Sequence, residues 1–363
     1  MKVVKNISWW RIEYSETDIQ KISESIRNEN ISMGIVTEKF EKRMAQALDV
    51  PYVIATTNGS TALLMTLMAL GIKAGDEVIV PNRTWIATAH APMMLGAKPV
   101  LVDVLPDRPV MDTSLLKGKI NSRTKAIIPV SLCGCAVSMD EVWEIARDHG
   151  LYVVEDTAQA LFSKYQGDYM GTKSDAGCFS MAISKLVSTG QGGFVATRNK
   201  NLYEQLRLIR THGVESVNDA SPFLSLGFNF RLTDLQASLG LVQLGKVDER
   251  ISKIKKIYSR YKEALQDIEG IKLIPVHLED GEIPLYVEVL VDKREELIQY
   301  LASKNIQTRR IYPDLDSAKH LNCDGDYPNA RIFGKKGLVL PCGPDQPLDN
   351  VERVIEALNS FLD

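Results

Sequence analysis

The chain has 363 residues, 45% of them hydrophobic and 25% charged, with a formal net charge of −3. That length supports a large core and two domains, and so small a net charge supplies no long-range field to recruit nucleic acid or an anionic membrane. No apolar run reaches the roughly 18 residues that span a bilayer. The opening stretch MKVVKNISWWRIEYSETD lacks the apolar core and cleavage site of a secretory signal, so the cytoplasm is the expected compartment.

In chain order, short apolar runs rich in β-branched residues fall at 53–57 (VIATT), 77–80 (EVIV), 99–104 (PVLVDV), 125–130 (KAIIPV), 151–156 (LYVVED), 176–180 (AGCFS) and 192–197 (GGFVAT). Their nearly unbroken apolar character fits strands buried on both faces of a mainly parallel sheet. Helical segments fall between many of them, such as 60–70 and 138–150. The alternation predicts an α/β domain wound with right-handed crossovers. From residue 231 the pattern changes. Residues 231–266 read as one long helix, followed by strands at 271–275 and 285–291, a helix near 293–304, a strand near 306–312 and a closing helix near 348–361. The chain is therefore expected to divide into a large α/β domain, 1–245, and a smaller C-terminal α+β domain, 246–363. The N-terminal segment could pack with either.

Five scattered cysteines, Cys133, Cys135, Cys178, Cys323 and Cys342, suggest no disulfide framework, and the tight Cys133-x-Cys135 pair has no second pair to complete a zinc site. The five histidines show no ligand cluster, and no metal is expected.

Four segments carry chemistry. Asp156 closes a buried strand, where open α/β sheets place their ligands. A carboxylate there needs a partner: a helix cap, a salt bridge, or a protonated pyridine nitrogen. Lys185 stands between an apolar strand and the turn STGQGG, as a surface residue or as an amine that attacks an aldehyde. Ser180, five residues earlier, could bond a phosphate, and Gly190, Gly192 and Gly193 allow a tight turn beside a bulky ligand. In ATTNGSTALL a helix begins near Ser60, so its first amides with the hydroxyls of Ser60 and Thr61 form either a plain N-cap or an anion site. Trp85, just past a strand end, is a core residue or a platform for a flat ring.

The order and spacing of these signals resemble the DegT/DnrJ/StrS family of sugar aminotransferases, which use pyridoxal 5'-phosphate (PLP) and belong to fold type I. The resemblance runs along essentially the whole chain, through NGSTAL (58–63), GDEVIVP (75–81), GAKPVLVDV (96–104), EDTAQA (155–160), Ser180-x4-Lys185, GFNFR (227–231) and YPNA…LVLPCGP (327–344). It implies a large domain with a mainly parallel seven-stranded sheet flanked by helices, plus a smaller α+β domain. Its implied roles are specific. Lys185 binds the PLP aldehyde and later moves the proton between carbons, and Asp156 pairs with the ring nitrogen. Gln159 packs by the ring and its phenolic oxygen, and Trp85 stacks on the ring. Gly59, Ser60 and Ser180 contact the phosphate, and Asn229 reaches it from the neighbouring subunit of a homodimer with shared active sites. The implied substrates are L-glutamate as amino donor and a nucleotide-linked keto-deoxysugar as acceptor, for a surface polysaccharide or a glycosylated metabolite. A cyclitol or a small phosphorylated ketone is the alternative acceptor. Arg231, Arg309 and Arg310 are candidates for a basic rim. The chain departs from the family pattern in the turn GQGG after the lysine, in SMAISK before it, and in Trp85 where Phe is commoner.

One competing motif is present. GDYMGTKS (167–174) is similar to the phosphate loop G-x4-G-K-[ST], but Thr172 occupies the position of the second glycine.

Overall fold

The computed structural model describes residues 6–216, 222–323 and 325–362, and the N-terminal part of these holds nine strands. They are β1 (Tyr52–Thr56), β2 (Glu77–Pro81), β3 (Lys98–Val102), β4 (Thr124–Ile127), β5 (Tyr152–Asp156), β6 (Lys164–Tyr165), β7 (Asp168–Tyr169), β8 (Ala176–Ser180) and β9 (Gly193–Thr197). All except the β6–β7 hairpin join one seven-stranded sheet in the order β1-β9-β8-β5-β4-β2-β3. Only the pairings made by β9, with β1 and with β8, are antiparallel. The sheet expected from the apolar runs is thus present, with every predicted strand displaced by a few residues at most.

The helices are α1 (Glu16–Arg27), α2 (Ile35–Ala47), α3 (Gly59–Ala69), α4 (Ala87–Met94), α5 (Met139–His149) and α6 (Lys200–Arg210). Because side chains alternate along a strand, the sheet feeds two cores. Val78, Val80, Val154, Cys178 and Val195 pack with Leu63 and Met65 of α3 and Leu206 of α6. Their neighbours Ile79, Val153, Phe179 and Phe194 pack with Phe40 of α2 and Val142 of α5. Strands buried on both faces leave no polar stripe, which is why the sequence shows unbroken apolar runs.

The segment read as one helix over 231–266 is two: α7 (Asp234–Leu244) and α8 (Val247–Ala264), interrupted at Gly245 and Lys246. The two serve different partners. Helix α7 buries Ala237, Ser238 and Gly240 beside α1 and α2, whereas α8 turns Ile254, Ile257, Tyr258 and Tyr261 into a core shared with the second sheet. Helical periodicity persists across a change of axis, so pattern alone does not reveal the break.

The remaining elements are β10 (Ile271–Leu273), β11 (Val287–Val291), α9 (Arg294–Ser303), β12 (Arg309–Arg310), α10 (Pro328–Lys336), β13 (Gly337–Leu340) and α11 (Leu348–Leu362). They form an antiparallel sheet ordered β10-β11-β13-β12. The strand expected near 306–312 shrinks to two residues at the sheet edge. The N-terminal segment, from Asn6 onward, packs with this second sheet region: Ile7 bridges Ile306, and Trp10 bridges Cys342. Residues 1–5 lie outside the described residues. The phosphate-loop lookalike at 167–174 holds part of the β6–β7 hairpin and leads into β8, with no helix after it.

Candidate active site

The ends of β2, β4, β5 and β8 and the start of α3 open onto one cavity of about 320 Å³, whose other wall comes from β11, β12 and β13. Open α/β sheets place ligands at the carboxyl ends of their strands.

Asn58 caps α3: its side chain accepts from Thr61 N at 2.9 Å, and its own N–H donates to Thr61 Oγ1 at 3.1 Å. The amides of Gly59 and Ser60 precede any acceptor within the helix, and both residues line the cavity. The turn is pressed against β9. A Cβ on Gly193 would lie 2.4 Å from the carbonyl carbon of Asn58, so only glycine fits there. Ser180, at the end of β8, completes this corner of the cavity.

Asp156 ends β5 and is 6% exposed. Thr88 Oγ1 donates to Oδ2 at 2.7 Å, and Ala158 N–H donates to Oδ1 at 3.2 Å. Burial pushes the carboxyl above the usual range, while these two bonds and the charge of Lys185 oppose that shift. The adjacent Glu155 points the other way, accepting from Gly171 N–H at 2.8 Å and from Ser174 Oγ at 2.7 Å.

Lys185 follows β8 in a turn closed by its own N–H donating to Ala182 O at 3.0 Å. Burial lowers its ammonium to a pKa of about 8, and the Asp156 carboxylate partly opposes this. Its Nζ lies 5.8 Å from the centroid of the Tyr286 ring, and the Tyr286 hydroxyl donates to Ser184 O at 3.0 Å. Trp85 is half exposed and meets Tyr312 edge to face at 5.7 Å. Gln159 accepts from Cys133 N–H at 2.9 Å, and it lines the cavity together with Tyr312.

The cavity therefore gathers Gly59, Ser60, Trp85, Asp156, Gln159, Ser180 and Lys185 from segments far apart in sequence. Asn229 is not among its lining residues. It is exposed, bridged to Thr211, and its side-chain oxygen accepts from Arg231 Nε at 2.8 Å. The rim arginines differ in their partners. Both Arg309 and Arg310 line the cavity; the Arg309 guanidinium lies 4.8 Å from the Trp9 ring centroid, while the Arg310 guanidinium is paired with Glu295.

The DegT/DnrJ/EryC1/StrS aminotransferase family model matches residues 13–359. The chain belongs to this family. It is 35% identical over 337 residues to GDP-perosamine synthase from Escherichia coli O157:H7, with 91% of each chain covered. Among solved structures, DesV from S. venezuelae superposes with a TM-score of 0.94 at 30% identity, covering 99% of both chains. Spr1654 from Streptococcus pneumoniae, in its PLP form, superposes with a TM-score of 0.92 at 26% identity, covering 98% of both.

The sequence motifs of this aminotransferase do not include Trp9, Tyr286 and Glu288, which line the cavity, or Thr88, which supports Asp156. Thr88 sits three residues after Trp85, in the first turn of α4, and a hydroxyl that close to a strand end was a usable signal. Glu288 was visible as a lone carboxylate within the apolar strand LYVEVLV. Trp9 and Tyr286 carried no local signal, because their roles depend on how the second sheet meets the first.

Proposed function

We propose that this aminotransferase moves an amino group from L-glutamate to a nucleotide-linked keto-deoxysugar, using PLP, with Lys185 as its catalytic residue. One observation carries the reading. The Lys185 amine and the buried Asp156 carboxylate share a cavity with the open amides at the start of α3 and with the Trp85 indole. That donor set fits PLP: an amine for the aldehyde, a carboxylate for the ring nitrogen, amides and Ser180 for the phosphate, and an aromatic surface for the ring. When bound, PLP supplies an electrophilic aldehyde and an electron-withdrawing ring that accepts charge from the substrate carbon.

The chain's own groups do the rest. With a pKa of about 8, Lys185 has a substantial neutral fraction near neutral pH, so Nζ can attack a carbonyl and afterwards carry a proton between carbons. Asp156 would hold a proton on the atom opposite its carboxylate, and Thr88 and Ala158 aim that carboxylate and favour its ionised form against the effect of burial. Gln159, held by Cys133 N–H, forms the side of the cavity next to the ring. Arg309 offers a cation for an anionic group of either substrate.

The perosamine synthase relative supports a nucleotide-linked acceptor, and the family supports amino transfer. In this reading the protein is a cytoplasmic homodimer, and Asn229 completes the phosphate site of the partner. Its support is an exposed apolar cluster on the same segment: Phe223, Leu224, Leu226 and Phe228 are 82%, 53%, 73% and 57% exposed. Surfaces of that character mark association sites. The reading also divides the chain at residue 245, supported by the break between α7 and α8. The experiment incubates the protein with PLP, L-glutamate and a panel of nucleotide-linked keto-sugars, cyclitol ketones and small phosphorylated ketones, and follows 2-oxoglutarate. Turnover of a small ketone as fast as any nucleotide-sugar overturns the acceptor assignment.

A further inference from the structure

Strand β11 carries a carboxylate that the chemistry above does not use. Along LYVEVLV the pleat sends Val287, Val289 and Val291 into the core, and sends Tyr286 and Glu288 to the face that lines the cavity. Glu288 pairs with Val339 on β13, and Val339 pairs with Arg309 on β12. The three residues thus form one row across the sheet, and all three line the cavity. Strands lie about 4.8 Å apart, so the backbones of Glu288 and Arg309 are roughly 10 Å apart. Among the described residues Glu288 makes no salt bridge. The Cys133 thiol lies beside it, on a residue held at φ +52° in the turn after β4, and the charges of Arg83 and Arg309 act on it from further away. A thiol is a weak donor, and a carboxylate can accept about four hydrogen bonds. Glu288 is only 7% exposed. It therefore has acceptor capacity that the Cys133 thiol alone does not fill, in the cavity lining, where a ligand would meet it.

We propose that Glu288 is the residue that recognises a ring hydroxyl of the acceptor sugar. The amino donor is a poor match for it, since a carboxylate-bearing amino acid would bring like charge to a carboxylate of low exposure. A neutral hydroxyl donates without that conflict, and Arg309 at the other end of the row remains available for anionic groups. The proposal rests on the sugar aminotransferase reading for its ligand, but not for its geometry.

The test compares the two half-reactions of the holoenzyme in wild type, Glu288→Gln and Glu288→Leu. The donor is L-glutamate. The acceptor is GDP-4-keto-6-deoxymannose, the ketone that corresponds to GDP-perosamine, with its 2-deoxy and 3-deoxy analogues. Removing one hydrogen bond to a buried carboxylate should raise the acceptor KM about 10- to 100-fold in Glu288→Leu, with kcat changing far less. Glu288→Gln, which keeps an acceptor oxygen, should lose less. One deoxy analogue should be penalised on wild type by a similar factor, and by nothing further on Glu288→Leu. A structural role predicts a lowered melting temperature with equal losses in both half-reactions, and that result overturns the proposal. So does an unchanged acceptor KM, or deoxy penalties that are the same on wild type and Glu288→Leu. Should wild type prefer a cyclitol ketone, the nucleotide-sugar reading fails by itself, and the same comparison on that ketone and its deoxy analogues still decides the role of Glu288.

Discussion

The wall that carries Lys185 and Asp156 comes from the ends of strands in the seven-stranded sheet, whereas the wall that carries Tyr286, Glu288 and Arg309 comes from one face of a small antiparallel sheet. At strand ends, each reactive group is held by neighbours on other strands, helices and turns: Asp156 by Thr88 of α4, the α3 turn by Gly193, Lys185 by the turn that follows β8. Moving any one of them disturbs the next. On a sheet face the pleat alternates, so every second residue meets the cavity while its neighbours keep the core intact. A side chain there can change without unpacking the fold. The first arrangement suits chemistry that must stay the same, and the second suits a choice of substrate.

Substitutions on the two walls should differ accordingly. Lys185→Ala should have the largest effect, a loss of at least about 1,000-fold in transamination together with the visible absorption of the PLP-loaded protein, because among the described residues no other lysine lines the cavity. Turnover near wild type in a single-turnover assay would break the assignment of the reactive wall.

Asp156→Asn comes next. It should still bind PLP but transaminate about 10- to 1,000-fold more slowly, the size of the one to three pKa units that an opposite charge contributes. The same variant sharpens the pH behaviour. Uptake of PLP by the apoprotein needs the unprotonated amine, so its rate should rise with pH and level off with a midpoint near the Lys185 pKa of about 8. The Asp156 carboxylate favours the ammonium form, so Asp156→Asn should move that midpoint down. A midpoint that stays put or rises would uncouple the two groups.

Thr88→Val removes one hydrogen bond to a buried carboxylate and should slow turnover about tenfold. A KM-against-kcat analysis should place that loss in kcat, since Thr88 aims Asp156 and is absent from the cavity lining. The smallest effect belongs to Arg310→Ala, within about threefold of wild-type kcat/KM, because its exposed guanidinium is engaged with Glu295. Arg309→Ala, one residue away, should cost more and mainly in KM. Equal effects from the two arginines would erase the distinction drawn between them.

By itself the sequence determined the period of every buried strand in the large sheet, because burial on both faces leaves an apolar run that needs no knowledge of neighbours. It also singled out Asp156, Lys185 and the Asn58–Thr61 cap, since each sits at the junction of a strand with a turn, and that junction is written locally. The tertiary structure decided the rest. The large α7–α8 segment breaks because its two halves pack on different partners, which helical periodicity does not record. Glu155 and Asp156 are adjacent carboxylates of similar composition, and only the direction of the pleat sends one to Gly171 and the other to the cavity. Arg309 and Arg310 both line the cavity, and only the strand edge decides that one guanidinium lies over Trp9 while the other pairs with Glu295. Trp9, Tyr286 and Glu288 reach the site only because a second sheet folds against the first, and contacts between residues hundreds of positions apart leave no trace in local pattern.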